Sequence, residues 1–355
     1  MNPGDELPPA APFYESYSRP GSGFQRFHLR AMGTDNFLLL RAEDGSELRR
    51  IAQEAFGIFE DCEERLSKFL PESDVSLANQ LAASRPVFVG EDFLDLLARA
   101  REAWEITGGA FDPTVGPLLS AWGLVDMNGR VPPEAEIRRL LEHRGMDLVE
   151  TDDSGAVRYL RTGVSVDLGG IGKGYAVDAV VRHLREQGVG AGAVISGRST
   201  VVTWGTPPAA GHWRVQVVDP DAPHRGLCTL LVQPGAVSSS GAYERRFRLG
   251  GEEYGHVLDP RSGQPVDLLR SATVWTRTAL LGDVLSTTLF VLGPEALGRN
   301  GCAERLAQAW TPPGEEPRAS FLWVESSPSG PAGRDVKTHH IGEPAFSIAS
   351  ADEDP

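Results

Sequence analysis

The sequence predicts an α+β protein whose mixed, largely antiparallel sheets are flanked by helices. Some segments repeat apolar residues at helical spacing, while others are short runs bounded by turn residues, as strands are. The two kinds of segment are interspersed without the regular βαβ repetition of a parallel sheet, and no internal repeat is present. The 355 residues, 41% of them hydrophobic, suffice for a large core.

The first elements follow from their apolar periodicity. Phe27–Leu40 is expected to form strands around a Met-Gly-Thr turn. Leu48–Leu66 and Phe93–Ile106 have the spacing of amphipathic helices, which end near a Leu-Pro pair and near paired glycines. Glu134–His143 predicts a short helix.

A glycine-rich segment, VSVDLGGIGKGYAVD at 164–178, joins a predicted strand to a predicted helix. Val164, Val166 and Leu168 alternate with other residues, and helical spacing begins after four glycines within six positions. Bare backbone can approach a diphosphate closely, and a helix N-terminus offers unpaired N–H donors to anions. Lys173 adds a positive charge there. The spacing of the glycines matches neither G-x-G-x-x-G nor the P-loop, so these fingerprints do not identify a phosphate site. A tight packing turn also explains the glycines, because corners between a strand and a helix use glycine for steric reasons.

The second half of the chain predicts more strands and one buried helix. Five short segments between turn residues are the predicted strands: Ala193–Ile195, Trp213–Val218, Cys228–Val232, Tyr243–Arg248 and Ala272–Trp275. Leu281–Leu292 is almost wholly apolar, so we expect a helix buried on most sides. Residues 1–22 and 312–355 are rich in Pro, Gly, Ser and acids and are expected to be flexible tails around one unit, 23–311.

Charge and composition exclude several classes of protein. Lys and Arg number 34 against 49 Asp and Glu, so a net charge of −15 repels nucleic acid and anionic lipid. The three separated cysteines form no C-x-x-C pair and predict no disulfide framework. The N-terminus lacks the basic and apolar regions of a secretory signal, and no run of about 18 apolar residues predicts a membrane span. We therefore expect a cytoplasmic protein.

Two side chains of the buried helix and one histidine are candidates for chemistry. Asp283 and Thr287 lie four positions apart and share a helix face. A buried carboxylate needs a compensating partner, and a hard divalent cation is one. The alternative is that Asp283 caps the helix while the hydroxyls bond back to carbonyls. His256 precedes a turn segment, where a lone histidine is usually structural and can also be a base.

Seven motifs in a fixed order carry a resemblance to a known family. They are AMGT (31–34), LSKFLPESDVSLAN (66–79), GGAFDPTVGPLLSAWG (108–123), DLGGIGKGYAVD (167–178), VSSSGAYERRF (237–247), HVLDPRSGQPV (256–266) and GDVLSTTLFVLG (282–293). Through them the chain closely resembles the ApbE-like family, the FAD:protein FMN transferases. The resemblance implies a T-fold-related architecture. It also implies Mg²⁺-dependent transfer of FMN from FAD to a Thr or Ser hydroxyl of a target protein, with release of AMP.

The resemblance further implies which residues form the site. Asp283, Thr287 and the carbonyl of Gly170 would hold Mg²⁺, with Ser286 a weaker candidate. His256 would be the base for the attacking hydroxyl, which is barely acidic at neutral pH. The implied flavin-binding residues are Met32, Phe69, Ala110, Phe111, Asp112, Asp167, Lys173 and Val257.

Three other functions stay open at this point. Water in place of the hydroxyl would make the protein an FAD pyrophosphatase. Arg198 stands where the family usually has the second of two glycines, and it either reaches a phosphate or narrows the site. If it blocks the site, the protein binds flavin without turnover. Serine hydrolysis through the run 238–241 lacks the G-x-S-x-G elbow. Gly172 replaces a commoner alanine and removes no functional group.

Overall fold

Short antiparallel strands and α-helices form the structure, a computed structural model that describes residues 23–126, 128–207, 211–222, 224–241, 246–249, 251–298, 301–325 and 336–349. The strands are β1 Gln25–Ala31, β2 Thr34–Arg41, β3 Val87–Phe88, β4 Val149–Thr151, β5 Ala156–Tyr159, β6 Ala191–Ser196, β7 Thr200–Trp204, β8 Trp213–Val218, β9 Gly226–Val232, β10 Gly235–Gly241, β11 Arg246–Leu249, β12 Glu252–Gly255, β13 Leu258–Asp259, β14 Gln264–Pro265, β15 Leu269–Thr276, β16 Ala319–Glu325, β17 Val336–Ile341 and β18 Phe346–Ile348. The predicted tail 1–22 lies outside the described residues.

Eight of these strands form a central sheet in the order β1-β2-β6-β7-β10-β15-β16-β17. Each neighbouring pair in it is antiparallel. The α-helices are α1 Leu48–Leu66, α2 Asp74–Leu81, α3 Glu91–Thr107, α4 Gly116–Ala121, α5 Glu134–Leu140, α6 Gly172–Glu186, α7 Ala279–Leu292 and α8 Cys302–Ala309. The predicted α+β class is thus confirmed.

The inner strands of the central sheet are buried on both faces, and their side chains pack alternately on one face and the other. On β2, Leu38 and Leu40 pack with the helices, whereas Phe37 and Leu39 pack with a second sheet of order β18-β9-β8. Successive strand side chains point to opposite faces, which is why four consecutive residues of β2 are all apolar. Helix α7 lies against β10 and β15, α6 lies against α7, and α1 lies against α6. This helical layer positions the glycine segment.

The predicted strand at 164–168 is extended but belongs to no sheet of the described residues. Its apolar residues are nevertheless buried on one side, as the alternation indicates. The Asn79 side chain takes the place of a neighbouring strand, because its amide donates to Val166 O (2.9 Å) and its oxygen accepts from Val166 N (2.8 Å). The backbone polar groups are therefore satisfied without a ladder.

The expectation that 312–355 is flexible is wrong for the described part of that segment. Strands β16 and β17 extend the central sheet, and β18 pairs with β9. The residues from Ala319 to Val324 are all buried. A short apolar run supplies this strand, and the Pro, Gly and acidic residues around it conceal it when the composition of the whole segment is averaged.

Helix α7 and the turn after it, Ala279–Leu297, form the most apolar stretch of the fold. Its most apolar window of 18 residues has a mean hydropathy of 1.3, so length and composition alone are compatible with a membrane span, contrary to expectation. In the structure 67% of the most apolar window is buried inside the protein. Burial between the central sheet and α6 accounts for this composition without a membrane.

Candidate active site

A cavity of about 480 Å³ is lined by all twelve residues that the sequence predicts for the site. They are Met32, Phe69, Ala110, Phe111, Asp112, Asp167, Gly170, Lys173, His256, Val257, Asp283 and Thr287. Its volume falls within the range of small-molecule sites. The fold therefore brings together residues from six separate motifs, while the role of each stays a prediction.

Met32 reaches the cavity from the turn between β1 and β2. Its φ is 54°, and no other non-glycine residue described in the structure has a positive φ. A left-handed conformation costs a non-glycine residue about 1–2 kcal/mol. The buried Asn36 side chain stabilises the turn by donating to Ala31 O (3.0 Å) and, at a longer distance, to Thr34 O (3.4 Å). The hydrogen bonds of the hairpin thus hold Met32 in a left-handed conformation that is unfavourable for a non-glycine residue.

The segment after α3 forms another wall. Gly108 and Gly109 adopt φ values of 61° and 79°, so the chain reverses at the helix end in a conformation that favours glycine. Ala110 and Phe111 follow and are buried in the cavity wall. Thr107 Oγ1 accepts a hydrogen bond from the Phe111 N–H (3.0 Å), which ties the wall back to α3.

The carboxylate of Asp112 lies beneath the cavity surface. Its Oδ1 accepts from the Thr114 N–H (2.8 Å) and hydroxyl, and Arg144 Nη1 lies 3.6 Å from its Oδ2. The side chain is fully buried, and burial raises the pKa of Asp112 although Thr114 and Arg144 oppose the rise. The structure therefore shows this carboxylate stabilising a turn, and its contact with a flavin nucleotide stays a prediction.

Two lysines, Lys68 and Lys173, and the carboxylate of Asp167 also line the cavity. Asp167 accepts from the Gly169 N–H (2.7 Å) and forms an ion pair with Lys68. The Lys68 ammonium also lies 5.1 Å from the ring centroid of Phe69, which is 63% exposed. Among the described lining residues, the lysines are Lys68 and Lys173. Lys173 forms no ion pair with a described residue, and its contact with a phosphate stays a prediction.

Asp283 sits at the N-terminus of a neighbouring helix. Its Oδ2 accepts from the Gly174 N–H (2.7 Å) in the first turn of α6, and its Oδ1 accepts from Thr200 Oγ1 (3.0 Å). Burial raises the pKa of Asp283, whereas the charge of Lys173 and these hydrogen bonds lower it. The predicted alternative, that Asp283 caps its own helix, is wrong, because Thr278 is the N-cap of α7.

The hydroxyl groups of Ser240, Ser286 and Thr287 lie close to one another in the cavity that Asp283 also lines. A Cβ placed on Gly170 would lie 3.5 Å from Thr287 Oγ1, so the glycine segment approaches α7 closely there. Ser240 Oγ lies 3.0 Å from Ser286 Oγ and 3.5 Å from Thr287 Oγ1. Ser286 Oγ also donates to Asp283 O (3.1 Å), the predicted bond back to a carbonyl. Among the described residues no group of three or more His, Cys, Asp or Glu could hold a metal ion.

His256 lies between β12 and the short β13–β14 hairpin and is half-buried in the cavity wall. The backbone after it is well fixed, since the Val266 N–H donates to Val257 O (3.0 Å). At the hairpin turn, the Gly263 N–H donates to Asp259 O (2.7 Å). The local structure thus places an imidazole on the same cavity as Asp283 and Lys173.

A family model described as the ApbE family matches residues 32–307 of this chain. That range is more than three quarters of its length. The chain belongs to the ApbE family. The predicted relationship is therefore confirmed, and it includes every residue that lines the cavity.

Relatives and solved structures agree with this membership. The chain is 33% identical over 275 residues to the FAD:protein FMN transferase of Klebsiella pneumoniae (strain 342), covering 77% of this chain and 82% of that protein. The ApbE protein of Thermotoga maritima has a TM-score of 0.75 at 30% identity, covering 88% of this chain and 96% of that one. Apo flavinyl transferase ApbE of Pseudomonas stutzeri has a TM-score of 0.72 at 27% identity, with 90% and 95% covered.

Two departures from the ApbE-like pattern can now be placed. Arg198 is exposed in the turn between β6 and β7, and the described residues that line the cavity include its neighbour Ser199 and not Arg198. It therefore does not narrow the cavity. Gly172 begins α6, and a Cβ there would meet only Leu168 Cβ at 3.5 Å, an ordinary contact. Neither departure obstructs the ApbE cavity.

Several residues of this ApbE-family site were not predicted to bind flavin or metal or to act as the base. They are Lys68, Arg144, Asp178, Thr200 and Ser240. Lys68, Asp178 and Ser240 lie inside recognised motifs, so their position was a usable signal. Arg144 and Thr200 lie outside those motifs and meet their partners only through long-range folding.

Proposed function

We propose that this chain is an FAD:protein FMN transferase that modifies a Thr or Ser hydroxyl of an acceptor protein. One observation carries the proposal: a single cavity in a chain of the ApbE family holds a lysine, a buried carboxylate with adjacent oxygens, and a histidine. These groups suit, respectively, a phosphate, a hard cation and a proton transfer. The Klebsiella pneumoniae relative named for this activity supports the same function.

The reaction balances as a phosphoryl-type transfer. The acceptor hydroxyl oxygen forms a bond to the phosphorus on the FMN side of the FAD diphosphate. The bond from that phosphorus to the bridging oxygen breaks, and AMP leaves with the bridging oxygen. The hydroxyl proton passes to His256, which needs only to be deprotonated at neutral pH to accept it. The acceptor gains FMN less one water.

The chain's own residues account for binding and orientation. Lys173 meets the negative charge of the diphosphate, and the glycines before α6 let the backbone approach it. Met32 and the ring of Phe69 offer polarisable and aromatic surface to the flavin or adenine rings. The bonds from Gly174 and Thr200 fix the Asp283 carboxylate, so its remaining lone pairs have a defined direction.

The donor set fits Mg²⁺. Asp283, the Thr287 hydroxyl and the Gly170 carbonyl are hard oxygen ligands, and Mg²⁺ typically takes one or two carboxylates together with substrate phosphates. Burial disfavours the charged form of Asp283, and a bound cation would offset that penalty. When bound, Mg²⁺ supplies positive charge that stabilises the negative charge developing on the leaving phosphate oxygen.

The test is flavinylation with a defined readout. A lysate of the source organism is incubated with the protein, FAD and Mg²⁺, and fluorescent bands are identified by mass spectrometry of their peptides. The proposal predicts a Thr or Ser carrying FMN less one water, equimolar AMP, and loss of both products with Asp283→Ala. Free FMN and AMP without any labelled protein would instead assign the FAD pyrophosphatase activity. FAD binding without AMP would assign a flavin-binding protein without turnover.

A further inference from the structure

Helices α6 and α7 exchange N-terminal backbone donors. The Gly174 N–H of α6 donates to Asp283 of α7 (2.7 Å). In return the Ala279 and Leu280 N–H groups of α7 donate to Asp178 of α6, at 2.8 Å to Oδ1 and 2.9 Å to Oδ2. Each helix thus places a carboxylate at the positive end of the other. We name this pair of contacts the reciprocal clamp.

The clamp joins the two halves of the cavity. One half is the glycine segment, with Gly170 just before α6, and the other is α7, which carries Asp283 and Thr287. The helices touch closely there, because a Cβ on Gly174 would lie 2.5 Å from Ala279 O. A relative shift of the helices would therefore change the distance between Gly170 and Thr287, whose Oγ1 lies 3.5 Å from a Cβ built on Gly170.

Helix capping alone does not explain Asp178. Helix α7 already has its own N-cap, since Thr278 Oγ1 accepts from the Leu281 N–H (3.4 Å). Asp178 lies on a different helix and accepts from the first two N–H groups of α7, those of Ala279 and Leu280, with both carboxylate oxygens in use. Because one carboxylate accepts two charge-assisted hydrogen bonds from α7, it restricts both the lateral and the axial displacement of α7 relative to α6.

We propose that Asp178 is a positioning residue that sets the separation between the Gly170 side and the Asp283–Thr287 side of the cation site. This inference rests on the proposed function for the identity of the cation. The described residues that line the cavity do not include Asp178, which acts by holding α7 against α6. Its loss should weaken cation binding as the loss of other outer supporting contacts of metal sites does, by about 10–100-fold.

The test compares Asp178→Ala and the isosteric Asp178→Asn with Thr278→Ala. Thr278→Ala removes a cap from the same helix end and leaves the bonds between the helices in place. Three readouts are taken on each full-length protein in the presence of FAD: the melting temperature, the Mg²⁺ affinity by calorimetry, and the Mg²⁺ concentration for half-maximal AMP release. Mg²⁺ affinity does not depend on turnover.

We expect Asp178→Ala to weaken Mg²⁺ binding about tenfold or more and Asp178→Asn to lie between it and wild type, because one acceptor oxygen remains. Thr278→Ala should lower the melting temperature, because it removes the N-cap of α7, and should leave the Mg²⁺ affinity within about twofold of wild type. Folded Asp178 variants with wild-type Mg²⁺ affinity would overturn the inference. Wild-type protein that binds Mg²⁺ without releasing AMP would overturn the proposed function. The Mg²⁺ affinities of wild type and the Asp178 variants would then still decide this inference. Wild type that binds no Mg²⁺ would overturn the inference.

Discussion

Gly174 is the position where one added methyl group should have the clearest effect. A Cβ there would lie 2.5 Å from Ala279 O, 2.7 Å from Ala279 C and 2.8 Å from Leu280 Cα. All three atoms are backbone of α7, so no side chain can rotate away. Because real Cβ contacts are essentially never under 3.0 Å, Gly174→Ala must move the helices apart by at least 0.5 Å at this point.

Gly172 provides a matched control two residues earlier. A Cβ on Gly172 would meet Leu168 Cβ at 3.5 Å and nothing closer. Both substitutions gain about 0.4–1 kcal/mol from the reduced entropy of the unfolded chain and better helix propensity. Only Gly174→Ala has the overpacking cost of about 1–3 kcal/mol. The free energies of unfolding of the two variants should therefore differ by about 1–3 kcal/mol, with Gly172→Ala the more stable.

Urea unfolding measures that difference directly, and the FMN-transfer rate at saturating Mg²⁺ is measured on the same samples. We expect the rate of Gly174→Ala to fall by about tenfold or more, since a misplacement of about 1 Å can cost 10²-fold. Gly172→Ala should keep the wild-type rate. Equal stability and equal rates for the two variants would show that α6 and α7 are not in close contact, and the reasoning would then be wrong.

Three further predictions concern charged and titrating groups. Lys173→Ala should weaken FAD binding far more than riboflavin binding in calorimetry, because riboflavin has no phosphate, and equal losses would indicate a packing defect. His256→Asn should keep FAD and Mg²⁺ binding and lose FMN transfer by about 10²-fold or more, with a loss that shrinks as pH rises, whereas an unchanged rate would exclude it as the base. Burial raises the pKa of Asp178 to about 6 in the folded state. The stability that the folded protein gains from binding this proton is therefore fully present below about pH 4 and is lost as the pH rises through 6. The free energy of unfolding in urea is therefore measured for wild type and for Asp178→Asn at pH 7 and at pH 4. From pH 7 to pH 4 the difference between the two proteins should change in favour of wild type by up to about 3 kcal/mol. A difference that does not depend on pH would contradict the raised pKa.

Local patterns were enough to predict most helices and the residues that gather at the site. The apolar spacing of α1 and α3 and the glycines at 164–178 encode structure within about one or two helical turns, so neighbours in sequence decide it. The family motifs then identified twelve site residues, all of which line the cavity. Strand β10 was missed because its serines look like a turn, and they are accommodated by hydroxyl partners such as Thr273, 2.9 Å from Ser239.

The contacts that hold the site together came from folding at long range. Asp178 and Ala279 are 101 residues apart, and Lys68 and Asp167 are 99 apart, so no local spacing could pair them. The amide of Asn79 likewise replaces a strand at Val166 from 87 residues away. Side-chain periodicity predicts which face of a helix or strand is buried, because apolar residues recur on that face at the period of the element. Which carboxylate meets which helix end depends on how the layers pack, and that is settled only when the whole core closes.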